Sequence, residues 1–251
     1  MKVATWNVNG VRAREAQLLE WLQNERPDVV ALQELKASRE QLPESLCALS
    51  DYWCFWHGVG AYSGVALALS RTRFPQEPTF EHPPFDRECR VVTAGAGDLV
   101  LASVYVPNGG RDFPGKLDFM TRMAEWAGEL RRAGRQLLLA GDLNVAREER
   151  DVHAKLRKPH QVGTRPEECE LLERFLGEGL VDVGRRLDPD NDELFTWWAP
   201  WRNLRQRNIG WRIDYVTASE ALAARATSST VQREVGTSDH GPVVVTFDDA
   251  G

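Results

Sequence analysis

The chain has 251 residues, 42% hydrophobic and 27% charged, with 20 Gly, 13 Pro and nine Trp. This composition excludes a disordered chain, a collagen-like repeat and a coiled coil, and the length suits a single α/β or all-β domain, expected here to span residues 1–251. Apolar runs such as Val65–Leu69 and Leu137–Ala140 fall far below the roughly 18 residues of a membrane span. A net charge of −6 has the wrong sign for a non-specific polyanion binder.

Val3 to Val8 reads as a strand and lacks the long apolar core of a signal peptide, so a cytoplasmic location is expected. Ala16, Leu19 and Leu22 then mark one face of an amphipathic helix that ends before Pro27, and Asp28 to Gln33 is a buried strand. Further strands are predicted at 52–57, 64–70, 90–94, 99–106, 136–140, 212–217 and 242–247, and helices at 37–49, 113–132, 166–176 and 219–225. Turns rather than helices join the strands at 52–70 and 90–106, which favours antiparallel pairing and two packed sheets with helices outside. Cys47, Cys54, Cys89 and Cys169 form no C-x-x-C pair, so reduced thiols are expected and no structural zinc.

Charge is unevenly distributed. From Leu194 to Ile213 there is no acidic residue, and Arg202, Arg205, Arg207 and Arg212 interleave with Trp197, Trp198, Trp201 and Trp211. A second acid-free stretch, Val152 to Pro166, carries Lys155, Arg157, Lys158 and Arg165. Polar groups also recur at strand ends: Asn7 and Asn9, Glu34, Tyr105 and Asn108, Asp142 and Asn144, Asp214, and Ser238-Asp239-His240. Singly, such residues make turns. Together they supply carboxylate oxygens for a hard cation, amide donors, a phenol and an imidazole, the inventory for phosphodiester hydrolysis. The segments Ala4-Thr5-Trp6-Asn7-Val8-Asn9 and Leu139-Ala140-Gly141-Asp142-Leu143-Asn144 also form a weak internal repeat.

Six segments occur in order: Thr5-Trp6-Asn7-Val8-Asn9-Gly10, Leu32-Gln33-Glu34, Tyr105-Val106-Pro107-Asn108-Gly109, Gly141-Asp142-Leu143-Asn144, Trp211-Arg212-Ile213-Asp214-Tyr215 and Ser238-Asp239-His240-Gly241-Pro242. This ordered set resembles the exonuclease III and abasic-site endonuclease family of the endonuclease, exonuclease and phosphatase superfamily. The resemblance implies a four-layer α/β sandwich of two mixed, mostly antiparallel sheets with flanking helices. It implies a phosphodiesterase that cuts 5′ to abasic sites and trims 3′ ends of double-stranded DNA, acting as a monomer away from membranes.

By the same resemblance, Glu34 is the principal Mg²⁺ ligand, with Asn7 beside it, Asp239 in or near the metal site and Mn²⁺ a substitute ion. Asp142 prepares the attacking water, Asn144 positions the phosphate or nucleophile, Asp214 orients His240 on a phosphate oxygen, and Tyr105 and Asn108 hold that phosphate. On the DNA side stand Asn9, Arg111, Arg205 and Arg207, with Trp197, Trp211 and Ile213 forming an apolar pocket for a sugar without its base. Leu35, where the family often has Thr, and Cys89, where Gly is usual, depart from the pattern without removing a ligand. The resemblance leaves a different phosphoester substrate, or an inactive nucleic-acid-binding module, as the alternatives.

Overall fold

The structure is a computed structural model that describes residues 1–249. Twelve strands form two six-stranded sheets. The first contains β1 (Lys2–Asn7), β2 (Val29–Gln33), β3 (Tyr52–His57), β4 (Val65–Ser70), β11 (Ala226–Val231) and β12 (Val243–Phe247), in the order β11-β12-β1-β2-β4-β3. The second contains β5 (Thr79–Glu81), β6 (Val91–Ala96), β7 (Leu99–Tyr105), β8 (Gln136–Asp142), β9 (Leu180–Asp182) and β10 (Asp214–Ser219), in the order β5-β6-β7-β8-β10-β9.

Each sheet has one parallel pair at its centre, β1 with β2 and β7 with β8, and antiparallel pairs elsewhere. β1 and β8 therefore hold equivalent places, which gives the weak internal repeat a structural counterpart. The consequence for the site is geometric. Parallel strands end on the same side, and the antiparallel neighbours β10 and β12 begin there, so six strand termini meet along one edge.

Apolar side chains form three layers of contact. Val3, Ala31, Leu67, Val92, Leu101, Leu138, Val216 and Val245 fill the space between the sheets. Outside the first sheet, α1 (Glu15–Glu25) packs Leu18, Trp21 and Leu22 near Trp6. Outside the second, α3 (Phe113–Arg132) and α4 (Pro166–Leu176) contribute Phe119, Met120, Met123, Leu172 and Phe175. Helix, sheet, sheet and helix make the four-layer sandwich. No helix among the described residues is long and apolar enough to cross a membrane.

The boundaries of α3, α4 and β3 match the sequence reading, because each pattern is bounded by a cap, a proline or a turn. The helix expected at 37–49 is instead a 3-10 turn, Arg39–Gln41, followed by the short α2 (Glu44–Cys47). Pro43 divides it, holding Leu42 extended and lacking the amide a continuous helix needs. α5 (Val183–Leu187) was not anticipated, and α6 (Glu220–Ala223) is shorter than expected. The face of α1 differs too: Ala16 is exposed, and Leu18 and Trp21 point inward with Leu22. The unanticipated strands β5, β9 and β11 all lie at sheet edges, where burial imposes no strong apolar alternation.

β7 and β8 approach so closely at Gly141, paired with Val104, that a Cβ there would lie 1.9 Å from the Val104 carbonyl oxygen. Gly141→Ala must push these strands apart, with an overpacking cost at or above the usual range of about 1–3 kcal/mol. A lower urea midpoint, together with reduced activity from displacement of Asp142, is the expected result.

Candidate active site

The strand ends converge on Asn7. Its side-chain amide donates to Glu34 Oε1 at 3.0 Å and to Asp142 Oδ2 at 2.9 Å, joining the two sheets through one side chain. Glu34 and Asn144 follow β2 and β8 and adopt left-handed backbone, with φ of 53° and 51°. A non-glycine residue there is strained, and the strain turns each side chain off the strand line into the cleft. Asn9, at φ 45°, does the same after β1.

Asp142 is 1% exposed and heavily engaged. Its Oδ1 accepts from the Asn144 backbone amide at 2.9 Å, and its Oδ2 accepts from Asn7 and, at 3.3 Å, from the Asn144 side chain. Burial pushes its carboxyl up to about 7, with the charges of Asp214 and Glu34 adding to the rise while His240 and the Asn7 hydrogen bond oppose it. Burial also pushes Glu34 upward, yet hydrogen bonds from Asn7 and Lys36 and the charges of Lys36 and His240 prevail and hold it below the ordinary carboxylate value.

His240 presents the opposite balance. Burial disfavours the charged ring, but Asp214, Asp142 and Asp239 surround it and raise its pKa to about 10, so it is an imidazolium at neutral pH. Its Nδ1 donates to Asp214 Oδ2 at 2.9 Å, and its Nε2 faces Asp142 Oδ2 at 3.9 Å. Tyr105 donates its hydroxyl to Glu34 Oε1 at 3.0 Å. Burial and the charges of Glu34 and Asp142 push that phenol far up, so it remains protonated. Asn108 donates to Asn144 Oδ1 at 3.1 Å and completes the far wall.

Glu34, Asp142 and His240 can each offer one donor atom, all within 4.8 Å of one another, on the edge where the carboxylates crowd. Two carboxylates suit a hard divalent cation, and such a charge would offset the burial and repulsion that raise Asp142, whereas the Asn7 amide oxygen is taken by the Asn9 backbone amide. Asp239 stands outside that trio: Asn9 donates to its Oδ1 at 2.8 Å and the Trp197 indole to its Oδ2 at 2.9 Å.

Three groups absent from the sequence reading support these residues. Thr196 Oγ1 donates to Asp214 Oδ2 at 2.6 Å and receives the amides of Ile213 and Asp214, fixing the carboxylate that orients His240. Lys36 Nζ bridges Glu34 Oε2 at 2.7 Å and Asn9 Oδ1 at 2.6 Å. Lys116, with 0% exposure, pairs with the equally buried Glu168 and donates to the carbonyls of Asn144 at 2.7 Å and Asn108 at 3.3 Å. Glu168 Oε1 in turn accepts from the amides of Gly163 and Arg165. Lys116 carries no local sequence signal, since a lysine in the first turns of an amphipathic helix ordinarily faces water.

Trp197, Trp211 and Ile213 come together with Ala146 and Val152 in one apolar cluster, the two indoles 6.2 Å apart and perpendicular. Gly163 packs so tightly on Trp211 that a Cβ would meet its ring at 2.8 Å. Arg111 is exposed on the rim of a cleft of about 780 Å³ that also presents Arg87, Arg90, Tyr105 and Asn108.

The basic aromatic window is less available than its sequence suggested. Arg205, expected on the DNA side, donates to the carbonyls of Arg233, Val235 and Ser238 and lies over the Trp198 ring, so it anchors the 233–238 loop. Arg212 is buried against Asp151 and Asp182, and Trp198 is 1% exposed. Arg207, Arg202 and Trp201 remain exposed.

The fold and this edge together define a phosphoesterase class, and residues 4–240 match the Endonuclease/Exonuclease/phosphatase family. The chain belongs to that family. It is 34% identical to the DNA repair nuclease APEX1 of Danio rerio over 98% of this chain and 81% of that one. It is 33% identical to an exodeoxyribonuclease of Bacillus subtilis strain 168, over 97% and 98% of the two chains. Among solved structures it is similar to a 3′-5′ exonuclease from Neisseria meningitidis, with a TM-score of 0.90 and 29% identity over 99% of this chain and all of that one.

Because Lys116 and Glu168 are buried together, Lys116→Met should cost about 3–5 kcal/mol by stranding Glu168. Lys116→Met combined with Glu168→Gln should regain part of that loss, since neither charge is then left unpaired. Denaturation midpoints of the two single variants and the double variant decide it; fully additive losses would mean that the charges act separately.

Proposed function

We propose that this chain is a DNA repair nuclease: a divalent-metal-dependent phosphodiesterase, with Mg²⁺ its working ion and Mn²⁺ a substitute, that cleaves 5′ to abasic sites and removes nucleotides or blocking groups from 3′ ends. The observation that carries the reading is the opposed pair at one edge, a carboxylate raised to about 7 at Asp142 and an imidazolium raised to about 10 at His240. Both shifts are upward, so between about pH 7 and pH 10 an ionised carboxylate able to take a proton stands beside a protonated ring able to donate one. The nuclease relatives support the DNA substrate, and the presence of all the groups on one chain supports a monomer acting as a single catalytic domain.

In this reading Asp142 takes the proton of a water aligned by the Asn144 amide, and that oxygen forms the new bond to phosphorus as the bond to the 3′ oxygen breaks, the departing oxygen taking a proton from solvent. His240, locked by Asp214 and Thr196, donates from Nε2 to a nonbridging oxygen and stabilises the charge that gathers there. Tyr105, kept protonated, and the Asn108 side chain hold the same phosphate. Glu34, held in place by the Asn7 amide, would hold a divalent cation, which would supply further charge neutralisation at the phosphate. The Trp197, Trp211 and Ile213 cluster offers a normal base no hydrogen-bond partner, whereas a flipped sugar lacking its base fits beside it. Arg111 and Arg207, both exposed, contact the duplex, with Asn9 lining the site between Lys36 and Asp239.

A labelled duplex with one abasic analogue, incubated with Mg²⁺ or with EDTA, tests the reading: cleavage 5′ to the lesion only with Mg²⁺ is expected, and binding without cleavage would overturn it. Rates on a recessed 3′ end and a 3′-phosphate then rank the activities.

The pKa directions set a pH profile. Asp142 acts when deprotonated and His240 when protonated, so kcat/KM should rise through about pH 7 and fall near about pH 10. Added cation favours the ionised carboxylate, so higher Mg²⁺ should move the rising limb to lower pH. Asp142→Asn should lower kcat by about 10² to 10⁴ with little change in DNA affinity. Trp211→Ala should lower the ratio of cleavage at abasic over undamaged sites; equal losses on both, with a lower melting temperature, would leave Trp211 a packing residue.

A further inference from the structure

At the lateral end of the active edge, where β3 and β5 finish in register with β2 and β7, the outer strands of the two sheets lie beside each other. β3 ends one sheet and β5 the other, and Phe55 of β3 stacks on Phe80 of β5 at 5.3 Å. Three ligating side chains gather over this seam. His57 closes β3, His82 follows β5, and Asp86 lies in the turn before β6. Their donor atoms all lie within 4.8 Å of one another. His57 Nε2 is 2.6 Å from Asp86 Oδ2, and the two imidazole rings stack with centroids 3.8 Å apart.

We propose that His57, His82 and Asp86 form a second metal site, one that takes a borderline divalent cation such as Zn²⁺ and ties the two sheet edges together. The ligands are already oriented from behind. Asp86 Oδ1 accepts from the amides of Arg90 and Val91 at 2.8 and 2.9 Å, which leaves Oδ2 for the cluster. His82 Nδ1 lies 3.2 Å from the Val91 carbonyl, a contact that places the ring proton on Nδ1 and the lone pair on Nε2. Metal-bound imidazoles and carboxylates are held by partners of this kind.

A His57–Asp86 ion pair alone accounts for two of the three groups. It gives no reason for a second imidazole to be fixed against the first with its Nε2 directed away from its backbone partner. To converge on one ion the rings must open from their 24° stack, and His82, being exposed, has room to turn. Solvent supplies the fourth ligand.

The donor set also separates this site from the catalytic cluster. Two imidazoles and one carboxylate favour Zn²⁺, Ni²⁺ or Co²⁺ over Mg²⁺, whereas Glu34 and Asp142 offer oxygen. The site acts on structure rather than on chemistry. Asp86 holds the backbone of Arg90, whose guanidinium lies over the Tyr105 ring at 4.8 Å, so an ion here would brace the strand behind Tyr105.

The test uses the full chain, stripped with a chelator, returned to excess Mg²⁺ and titrated calorimetrically with Zn²⁺. The wild type should bind one more equivalent than either His57→Gln or His82→Gln. His82→Gln, a surface change, should keep the wild-type melting temperature without zinc, showing that the lost equivalent is a lost ligand and not a lost fold. Equal zinc stoichiometry in all three proteins would overturn the site, as would a wild type that binds none. This outcome is independent of DNA cleavage, so failure of the nuclease reading leaves it standing.

Discussion

One amide joins the halves of this molecule. The Asn7 side chain has two hydrogens, and each bonds a carboxylate, one reached from β2 and one at the end of β8. Two sheets packed through apolar side chains could slide by a residue with little penalty in area alone. A buried polar bridge of fixed geometry resists such a slip, because breaking it strands an amide and two carboxylates away from water. The relative placement of Glu34 and Asp142, which come from different sheets, rests on that bridge together with the Tyr105 hydroxyl on Glu34 and the Ser103 hydroxyl on Gln33 and Leu32.

The electrostatics follow from that crowding. Three carboxylates meet at a poorly solvated edge, and each responds according to what faces it. Asp214 has Thr196 and the His240 ring; Glu34 has Asn7, Tyr105 and Lys36; Asp142 has amide donors but no bonded cation, with His240 Nε2 at 3.9 Å. Asp142, the group without a bonded cation, is raised by burial to about 7 while Glu34 is held below its ordinary value, and a raised carboxylate is what a general base needs. Structural ion pairing and catalytic readiness are thus divided among neighbours of the same residue type.

The Trp-rich segment shows a different economy. Trp197 exchanges backbone hydrogen bonds with Trp211, Trp198 donates its amide to the Asp239 carbonyl, and Gly241 bonds back to Thr196. This lacing sets the apolar cluster, Asp239 and His240 in one frame. It also consumes charge: Arg205 and Arg212 serve carbonyls and buried acids, leaving Arg207 and Arg202 at the surface.

Much of the fold was legible from local pattern, because the long helices α3 and α4 have clear termini and the central strands are continuous apolar runs. Edge strands were not, since half-exposed polar segments such as Ala226–Val231 differ little from loops. The ordered motifs identified the family and the polar strand ends, because chemistry requires those residue types and strands must end where they do. What only tertiary structure decided is which charges are spent. Lys116 reads as an ordinary helix lysine and Arg205 as a DNA contact, yet one is buried beneath Asn144 and the other holds a loop. Burial and partner are long-range properties: Lys116 meets its acid 52 positions away only after α3 and α4 pack, and no window of sequence contains that encounter.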